Sequence, residues 1–182
     1  YWACMPSKVL LRAGAARADA ADAPGALPSP PVGPVDVAAV LARRDEIVHD
    51  WNDAGQVEWL DGAGIALVRG HGRLTAEREV TVARDGADAA VLRARHAVAV
   101  CTGSAALLPD IPGLADASPW TSREATGVQR VPESLVILGG GVVACEMATA
   151  YASFGCAVTG LARAGRLGPM APFAGGAAGG AP

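Results

Sequence analysis

The segment Val136-Ile137-Leu138-Gly139-Gly140-Gly141-Val142-Val143-Ala144 decides the fold that this sequence predicts. Residues 131–138 have the apolar composition of a strand, residues 142–154 that of a helix ended by Gly155, and residues 157–161 that of a second strand. Together they form one β-α-β unit, which requires a right-handed crossover and a parallel sheet. The sequence therefore predicts an α/β protein.

The glycine turn inside this unit matches Gly-x-Gly-x-x-Gly/Ala, a pattern that binds dinucleotides where it joins a strand to a helix. Gly139 permits the tight turn, Gly141 lets the backbone approach a pyrophosphate, and Ala144 lets the helix pack closely on the strand. The helix N-terminus adds free N–H groups and a partial positive charge. The alternative interpretation is a glycine-rich turn that binds nothing.

The upstream residues predict helices followed by short strands. Residues 5–17 are predicted as a helix with Pro6 in its first turn, and residues 18–35, with five prolines, as a loop. Asp36 is predicted as the N-cap of an amphipathic helix over residues 37–51, which residues 53–55 end. Strands are predicted over residues 65–68, 79–82, 90–93 and 97–101. From Gly175 onward the sequence is a low-complexity tail that buries too little surface to fold.

Composition excludes several classes of function. The net charge of −3 and only eight aromatic residues argue against nucleic-acid binding. The four cysteines include no Cys-x-x-Cys pair and the three histidines are scattered, so no metal site is predicted. Residues 135–159 are apolar, but Glu146 lies in their middle, and a carboxylate costs roughly 2.5–3.5 kcal/mol at the centre of a bilayer. No membrane span is expected.

A second segment with chemical potential is Cys4-Met5-Pro6-Ser7-Lys8, at the start of the first predicted helix. The helix N-terminus and an ammonium group one turn away favour a thiolate, the reactive form of cysteine. Spacing alone nevertheless favours an inert core residue, because free cysteines are among the most buried residues.

Residues 1–8 resemble the redox-disulfide segment of the class I pyridine nucleotide-disulfide oxidoreductases, which include dihydrolipoamide dehydrogenase, glutathione reductase and mercuric reductase. The family pattern is Cys-x4-Cys-x-Pro-Ser-Lys; Cys4 matches the second cysteine, and the first would lie two residues before Tyr1. Residues 98–104, followed by prolines at 109 and 112, resemble the family's Ala-Thr-Gly segment beside the flavin nucleotide, with Cys101 in place of alanine. Residues 131–146 resemble its Pro-x-Ser…Gly-x-Gly run, which ends in a glutamate matched by Glu146. The matches follow the family's order.

This resemblance implies two doubly wound, Rossmann-like domains that bind FAD and NAD(P), both incomplete in this chain. Residues 1–117 would form the later part of the FAD domain, residues 118–174 the start of the NAD(P) domain, and residues 175–182 a tail. The full-length protein would be a cytoplasmic homodimer. Its downstream His-Glu acid/base pair matches none of the three histidines here, so the chain alone would be inactive.

The implied chemistry is hydride transfer from NAD(P)H through FAD to a redox-active cysteine pair, and then to a small-molecule or disulfide acceptor. Cys4 would be the catalytic flavin-side sulfur, whereas Cys145 and Cys156 are expected to be core residues. The residues expected to bind the cofactors are Lys8, Thr102, Gly103, Gly139, Gly141, Ala144, Glu146 and Arg163.

The nucleotide preference follows from the end of the second strand. An NAD site usually carries an acidic residue there, yet no Asp or Glu follows Glu146, and Arg163 occupies this region. The sequence therefore predicts NADP rather than NAD. Solvated loop arginines are the alternative.

Two other functions compete with this hypothesis. One is a non-catalytic fragment that binds no cofactor, which the Gly-Ala tail favours. The other is a flavoprotein of the ferredoxin-reductase type without a cysteine pair, against which the Pro6-Ser7-Lys8 context counts.

Overall fold

The computed structural model describes residues 2, 4–22 and 33–162. The chain divides into two units: unit 1 comprises Tyr1–Trp51 and Leu108–Pro182, and unit 2 comprises Asn52–Leu107. The domain boundaries predicted at residues 117 and 174 follow the resemblance and stay predictions. The predicted tail and Arg163 lie outside the described residues.

Helices precede and follow a central group of strands along the chain. The elements are α1 (Cys4–Asp22), α2 (Val37–Ile47), a 3₁₀ turn (His49–Trp51), α3 (Ala54–Gly62), β1 (His71–Ala76), β2 (Glu79–Arg84), β3 (Ala87–Arg93), α4 (Ser122–Gly127), β4 (Ser134–Leu138), α5 (Val142–Ser153) and β5 (Ala157–Leu161).

The predicted β-α-β unit is confirmed. Strands β4 and β5 pair in parallel, from Ser134 opposite Ala157 to Leu138 opposite Leu161, and α5 connects them. Gly155 follows the helix with a φ of 86°, a left-handed conformation that glycine adopts without steric cost. The α/β class expected from the glycine-turn segment is therefore correct.

Unit 1 has a buried apolar cluster that joins its helices to the parallel strands. The cluster consists of Leu10, Leu41, Ala125, Met147, Ala150, Tyr151 and Cys156. The Tyr151 hydroxyl donates to the Ala125 carbonyl oxygen at 2.7 Å, and burial raises the pKa of Tyr151 to about 12, so the phenol keeps its proton.

Helices α1 and α5 approach each other closely. A Cβ added at Gly14 would lie 2.7 Å from the Cβ of Ser153, which is shorter than real contacts allow. Gly14 therefore permits the approach of the two helices that carry Cys4 and the glycine turn.

Unit 2 contains a three-stranded antiparallel sheet in the order β1-β2-β3. Val80 lies opposite both Leu74 and Leu92, so one face of the sheet is apolar. Val82 is the only side chain classed as buried among the described residues of this unit. Gly70 is required where it stands, because a Cβ there would lie 2.2 Å from the Ala83 carbonyl oxygen.

Several predicted strands differ from the observed ones. Residues 79–82 and 90–93 lie in β2 and β3, as predicted, but residues 65–68 and 97–101 pair with no strand among the described residues. These two predictions were wrong because an apolar run becomes a strand only where a neighbour accepts its hydrogen bonds. Strand β1 was not predicted, since its sequence shows no clear apolar alternation.

The helix predictions were correct in position but not in length. Helix α1 continues to Asp22, so the predicted loop begins at least five residues later than residue 18. Asp36 caps α2 as predicted, accepting from the Ala39 N–H at 3.0 Å. Helix α2 ends at Ile47. After Val48, the residues His49, Asp50 and Trp51 have φ values of 50° to 56°. Helices α3 and α4 were not predicted. No helix among the described residues is long and apolar enough to cross a membrane.

Candidate functional site

Cys4 is the first residue of α1 and is exposed. Pro6 suits the first turn of α1, because a backbone N–H at this position has no acceptor within the helix. Proline lacks that N–H and therefore loses no hydrogen bond there. The buried Ser7 hydroxyl donates to the Cys4 carbonyl oxygen at 3.3 Å. The buried Ser7 side chain therefore stabilises the first turn of α1, whereas the Cys4 thiol is exposed.

Lys8, one turn after Cys4, forms an ion pair with Glu146 of α5. The Lys8 Nζ donates to the Glu146 Oε1, and the Glu146 side chain is 25% exposed. The structure therefore brings together two residues that the sequence predicted separately. Their pairing was not predicted, because opposite charges 138 residues apart carry no local signal.

The glycine turn presents an uncapped helix start. Gly139 has a φ of 125°, and its N–H donates to the Leu161 carbonyl oxygen at 2.8 Å. Gly141 is the N-cap of α5 and makes no side-chain capping hydrogen bond, and the first turn holds no acidic residue. A Cβ added at Gly139 or Gly141 would meet nothing within 4 Å. The turn therefore leaves N–H groups and space of the kind that a phosphate requires.

Ala144 lies in the first turn of α5 and is half-buried. The small side chain is consistent with the close packing of helix on strand that the sequence predicted.

In unit 2, Thr102 and Gly103 lie in exposed chain outside any helix or strand. Gly103 has a φ of 68°, a left-handed conformation. This segment has the glycine turn expected of a nucleotide-contacting loop, but no sheet pairing supports it within the described residues.

The remaining cysteines have distinct surroundings, and all four are free. Cys156 lies in the buried cluster, and burial raises the pKa of its thiol, so it stays protonated. Its predicted place in the core is confirmed. Cys145 is half-buried in α5, and Cys101 is exposed.

A set of aromatic and cationic side chains beside the Cys4 segment was not predicted. The rings of Trp2 and Trp51 stack with centroids 4.9 Å apart and planes 19° apart. The Arg44 guanidinium carbon lies 5.1 Å from the Trp51 ring, and that of Arg123 lies 4.1 Å from the Trp2 ring. These four residues are called the tryptophan stack below.

Arg44 anchors the tryptophan stack and is fully buried. Its Nη1 donates to the carbonyl oxygens of Thr126 at 2.9 Å and Val128 at 2.6 Å, and its Nε donates to Asp45 at 2.8 Å. Its Nη2 lies 2.7 Å from the same carboxylate oxygen without hydrogen-bond geometry. Sequence reasoning missed Arg44 because arginine in a run of charged residues is normally exposed.

Comparison with known proteins places these features in context. A family model described as pyridine nucleotide-disulphide oxidoreductase matches residues 1–177. Mercuric reductase of Serratia marcescens is 35% identical over 165 residues, which is 88% of this chain and 35% of that protein. Dihydrolipoyl dehydrogenase of Acholeplasma laidlawii is 34% identical over 128 residues, 68% of this chain and 36% of that protein. The chain thus spans about a third of the length of these relatives.

Among solved structures, the copper(II) complex of the HOCl-induced flavoprotein disulfide reductase RclA from Escherichia coli is similar, with a TM-score of 0.71. The match is 22% identical and covers 91% of this chain and 34% of that one. At this identity the likeness concerns the fold, and it agrees with the α/β fold class that the sequence predicts.

Proposed function

Because the chain belongs to the pyridine nucleotide-disulphide oxidoreductase family, we propose that it carries part of the redox site of a flavoprotein. The full-length protein passes hydride from NAD(P)H through FAD to a cysteine pair that includes Cys4. The reduced pair then delivers electrons to a small-molecule or disulfide acceptor. The full-length protein acts as a homodimer.

The observation that carries this proposal is the ion pair between Lys8 and Glu146. It joins the helix that begins at Cys4 to the helix that begins at the glycine turn. A cysteine redox centre and a nucleotide-binding turn on helices tied together in this way suit an enzyme that relays electrons between the two. A core cysteine beside an unrelated glycine turn would need no such charged link.

In this proposal Cys4 is the catalytic sulfur that faces the flavin. The support for this role is the exposed position of the thiol at the first residue of α1, one turn before Lys8. Lys8 would lie near the isoalloxazine ring, where its ammonium would balance negative charge on the reduced flavin, and Glu146 would lie near the nicotinamide end of the pyridine nucleotide. FAD supplies the hydride and electron chemistry, and the protein contributes position and charge.

Each unit carries residues that we propose bind a cofactor. Gly139, Gly141 and Ala144 bind the pyrophosphate of the pyridine nucleotide, through the open N–H groups of α5. Thr102 and Gly103 contact the flavin nucleotide. The support for Thr102 and Gly103 is the left-handed glycine turn and the match in sequence.

The replacement Cys4→Ser in the full-length protein tests the proposed function. We expect disulfide turnover to stop, and the long-wavelength absorbance between thiolate and flavin after two-electron reduction to disappear, while FAD stays bound. Cys156→Ala is the matched control, because Cys156 is buried with a raised pKa and takes no part in exchange. A Cys4→Ser protein with unchanged turnover contradicts the proposal.

We further propose that the pyridine nucleotide is NADPH. No carboxylate follows Glu146 to hydrogen-bond a ribose 2′-hydroxyl, and Arg163 follows the second strand instead. A guanidinium binds a 2′-phosphate bidentately, through two parallel hydrogen bonds. The expectation rests on sequence, since Arg163 lies outside the described residues.

A comparison of kcat/KM for NADPH and NADH in the full-length protein checks this preference. Arg163→Ala should lower kcat/KM for NADPH and leave that for NADH almost unchanged, with Arg166→Ala as the control at the neighbouring arginine. A wild-type preference for NADH, or unchanged selectivity in Arg163→Ala, rules out the assignment.

A further inference from the structure

The 3₁₀ turn that follows α2 has a backbone conformation that its sequence does not favour. His49, Asp50 and Trp51 have φ values of 51°, 50° and 56°, and the ψ of Asp50 is 35°. These φ values lie in the left-handed region, which costs free energy for residues other than glycine. Residues 48–53 contain neither glycine nor proline, and the apolar pattern predicts a right-handed helix as far as Trp51. Such a disagreement between local preference and structure is typical of strained sites.

The tryptophan stack offsets the cost of this turn. The Trp51 ring stacks on Trp2 at a centroid distance of 4.9 Å and lies 5.1 Å from the guanidinium carbon of Arg44. A Cβ added at Gly127 would lie 3.8 Å from the Trp51 ring, so the end of α4 also borders this ring. A left-handed run of residues other than glycine persists only where its surroundings over-determine it. The packing of Trp51 supplies such surroundings.

A right-handed turn over residues 48–51 is the alternative arrangement. It would continue α2 by one turn, to the length that the sequence predicts. Leu41, Arg44 and Val48 are buried at spacings of three and four residues, and Trp51 would continue the same helix face in a right-handed turn. The alternative therefore keeps the apolar face of α2 continuous and removes the left-handed strain, but it forfeits the observed packing of the Trp51 ring.

We propose that residues 48–51 are a conformational switch. The packing of Trp51 holds them in the left-handed turn, and release of Trp51 converts them into a right-handed turn that lengthens α2. Two such arrangements are populated according to how well each is stabilised, so loss of the Trp51 contacts shifts the population toward the longer helix. The switch lies at the end of the first segment of unit 1, and the proposal is independent of the redox role of Cys4.

Alanine and glycine at position 50 report which arrangement the turn adopts. In the left-handed turn, Asp50→Gly should be more stable than Asp50→Ala, because glycine adopts positive φ without steric cost. In a right-handed turn the order reverses, because alanine has the highest helix propensity and glycine one of the lowest. Asp50 is exposed, so neither replacement removes a buried side chain.

Hydrogen exchange of the α2 amides, followed by mass spectrometry in the full-length protein, measures the local opening of α2 in each variant. With Trp51 in place, these amides should exchange roughly 2- to 10-fold faster in Asp50→Ala than in Asp50→Gly. With Trp51→Ala added to both proteins, the order should reverse, and the amides should exchange roughly 5-fold faster in the glycine variant.

Two matched controls separate the switch from general loosening. Ala42 is exposed within α2, so Ala42→Gly should speed exchange by a similar factor with and without Trp51. Trp59→Ala removes an indole of α3 from a residue that is 66% exposed, and with it the glycine variant at position 50 should remain the slower one.

Three results would overturn the proposal. The first is nearly equal exchange in the two position-50 variants once Trp51 is replaced, as a merely disordered turn would give. The second is an order that stays as it was with Trp51, and the third is a reversal caused by Trp59→Ala. If Trp51→Ala does not fold, Trp2→Ala removes the stacking partner instead. An unchanged ratio of the two rates in that protein overturns the proposal, and a reduced or reversed ratio supports it.

Discussion

The two segments predicted to hold nucleotides differ in how they are supported. The glycine turn at residues 139–141 lies between a paired parallel strand and a helix that packs into the buried cluster of unit 1. Thr102 and Gly103 of unit 2 lie in chain without sheet pairing, close to the exposed Val100 and Leu107. A strand-turn-helix unit obtains its shape from its own residues. An extended segment obtains its shape from a neighbouring strand.

The contrast extends to the units that carry these segments. Unit 1 buries seven residues in one cluster, together with the guanidinium of Arg44. Unit 2 buries Val82 and exposes apolar side chains on its sheet, including Leu74 at 62% exposure. The geometry of unit 1 is therefore more strongly determined by packing than that of unit 2.

The largest expected effect concerns flavin binding by the 182-residue chain. We expect this chain, purified with excess FAD, to retain far less than one FAD per chain after gel filtration, because the segment at Thr102 and Gly103 has no sheet pairing among the described residues to hold it in place for binding. Absorbance of the eluted protein measures bound flavin, with the full-length protein as the control. Stoichiometric FAD on the short chain would show that the two segments are equally well formed.

The next effect lies within unit 1. Arg44→Met should lower the free energy of unfolding by about 2–4 kcal/mol, because the carbonyl groups of Thr126 and Val128 lose their donor and Asp45 its partner. Arg43→Met is the matched control: Arg43 pairs with Glu46 at the surface, and its loss should cost less than about 1 kcal/mol.

Urea unfolding followed by circular dichroism measures both variants. An equal loss of unfolding free energy in Arg44→Met and Arg43→Met would contradict the prediction. It would mean that the buried contacts of Arg44 stabilise unit 1 no more than the exposed ion pair of Arg43 does.

The smallest effects are expected in unit 2. Val82→Thr should destabilise the sheet by about 1–2 kcal/mol, because it buries a hydroxyl in place of a methyl group. Leu74→Thr, on a neighbouring strand, should stay within about 0.5 kcal/mol, because Leu74 is exposed. Hydrogen exchange of the β2 amides reports the local stability of this sheet. A larger loss at Leu74 than at Val82 would show that the apolar face is covered and that unit 2 has a core of its own.

Local sequence signals were sufficient for the features whose partners are close in the chain. The strand, glycine turn, helix and strand of residues 134–161 follow one another directly, and Asp36 caps the helix that starts at the next residue. Strand β5 covers the residues that the apolar pattern predicted. Here each local preference agrees with the packing around it.

Sequence signals did not predict the features that depend on a partner distant in the chain. Residues 65–68 and 97–101 have strand composition but no strand beside them among the described residues. Helix α4 is only six residues long, and its capping box of Thr121 and Glu124 was not identified from the sequence. The Lys8–Glu146 pair and the burial of Arg44 depend on tertiary contacts between segments more than 80 residues apart, which no periodicity encodes.

The link between Lys8 and Glu146 also has a consequence for the order of folding. Helix α1 packs against α2, which follows it closely in the chain, and also against α4 and α5, which are synthesised about 100 residues later or more. Closing so long a loop costs entropy, which grows with the logarithm of its length. During synthesis at about 5–20 residues per second, the Cys4 thiol therefore remains for several seconds or more on a helix that has not yet docked on α5. In that interval the helix that carries Cys4 lacks its contacts with α5, including the Lys8–Glu146 ion pair.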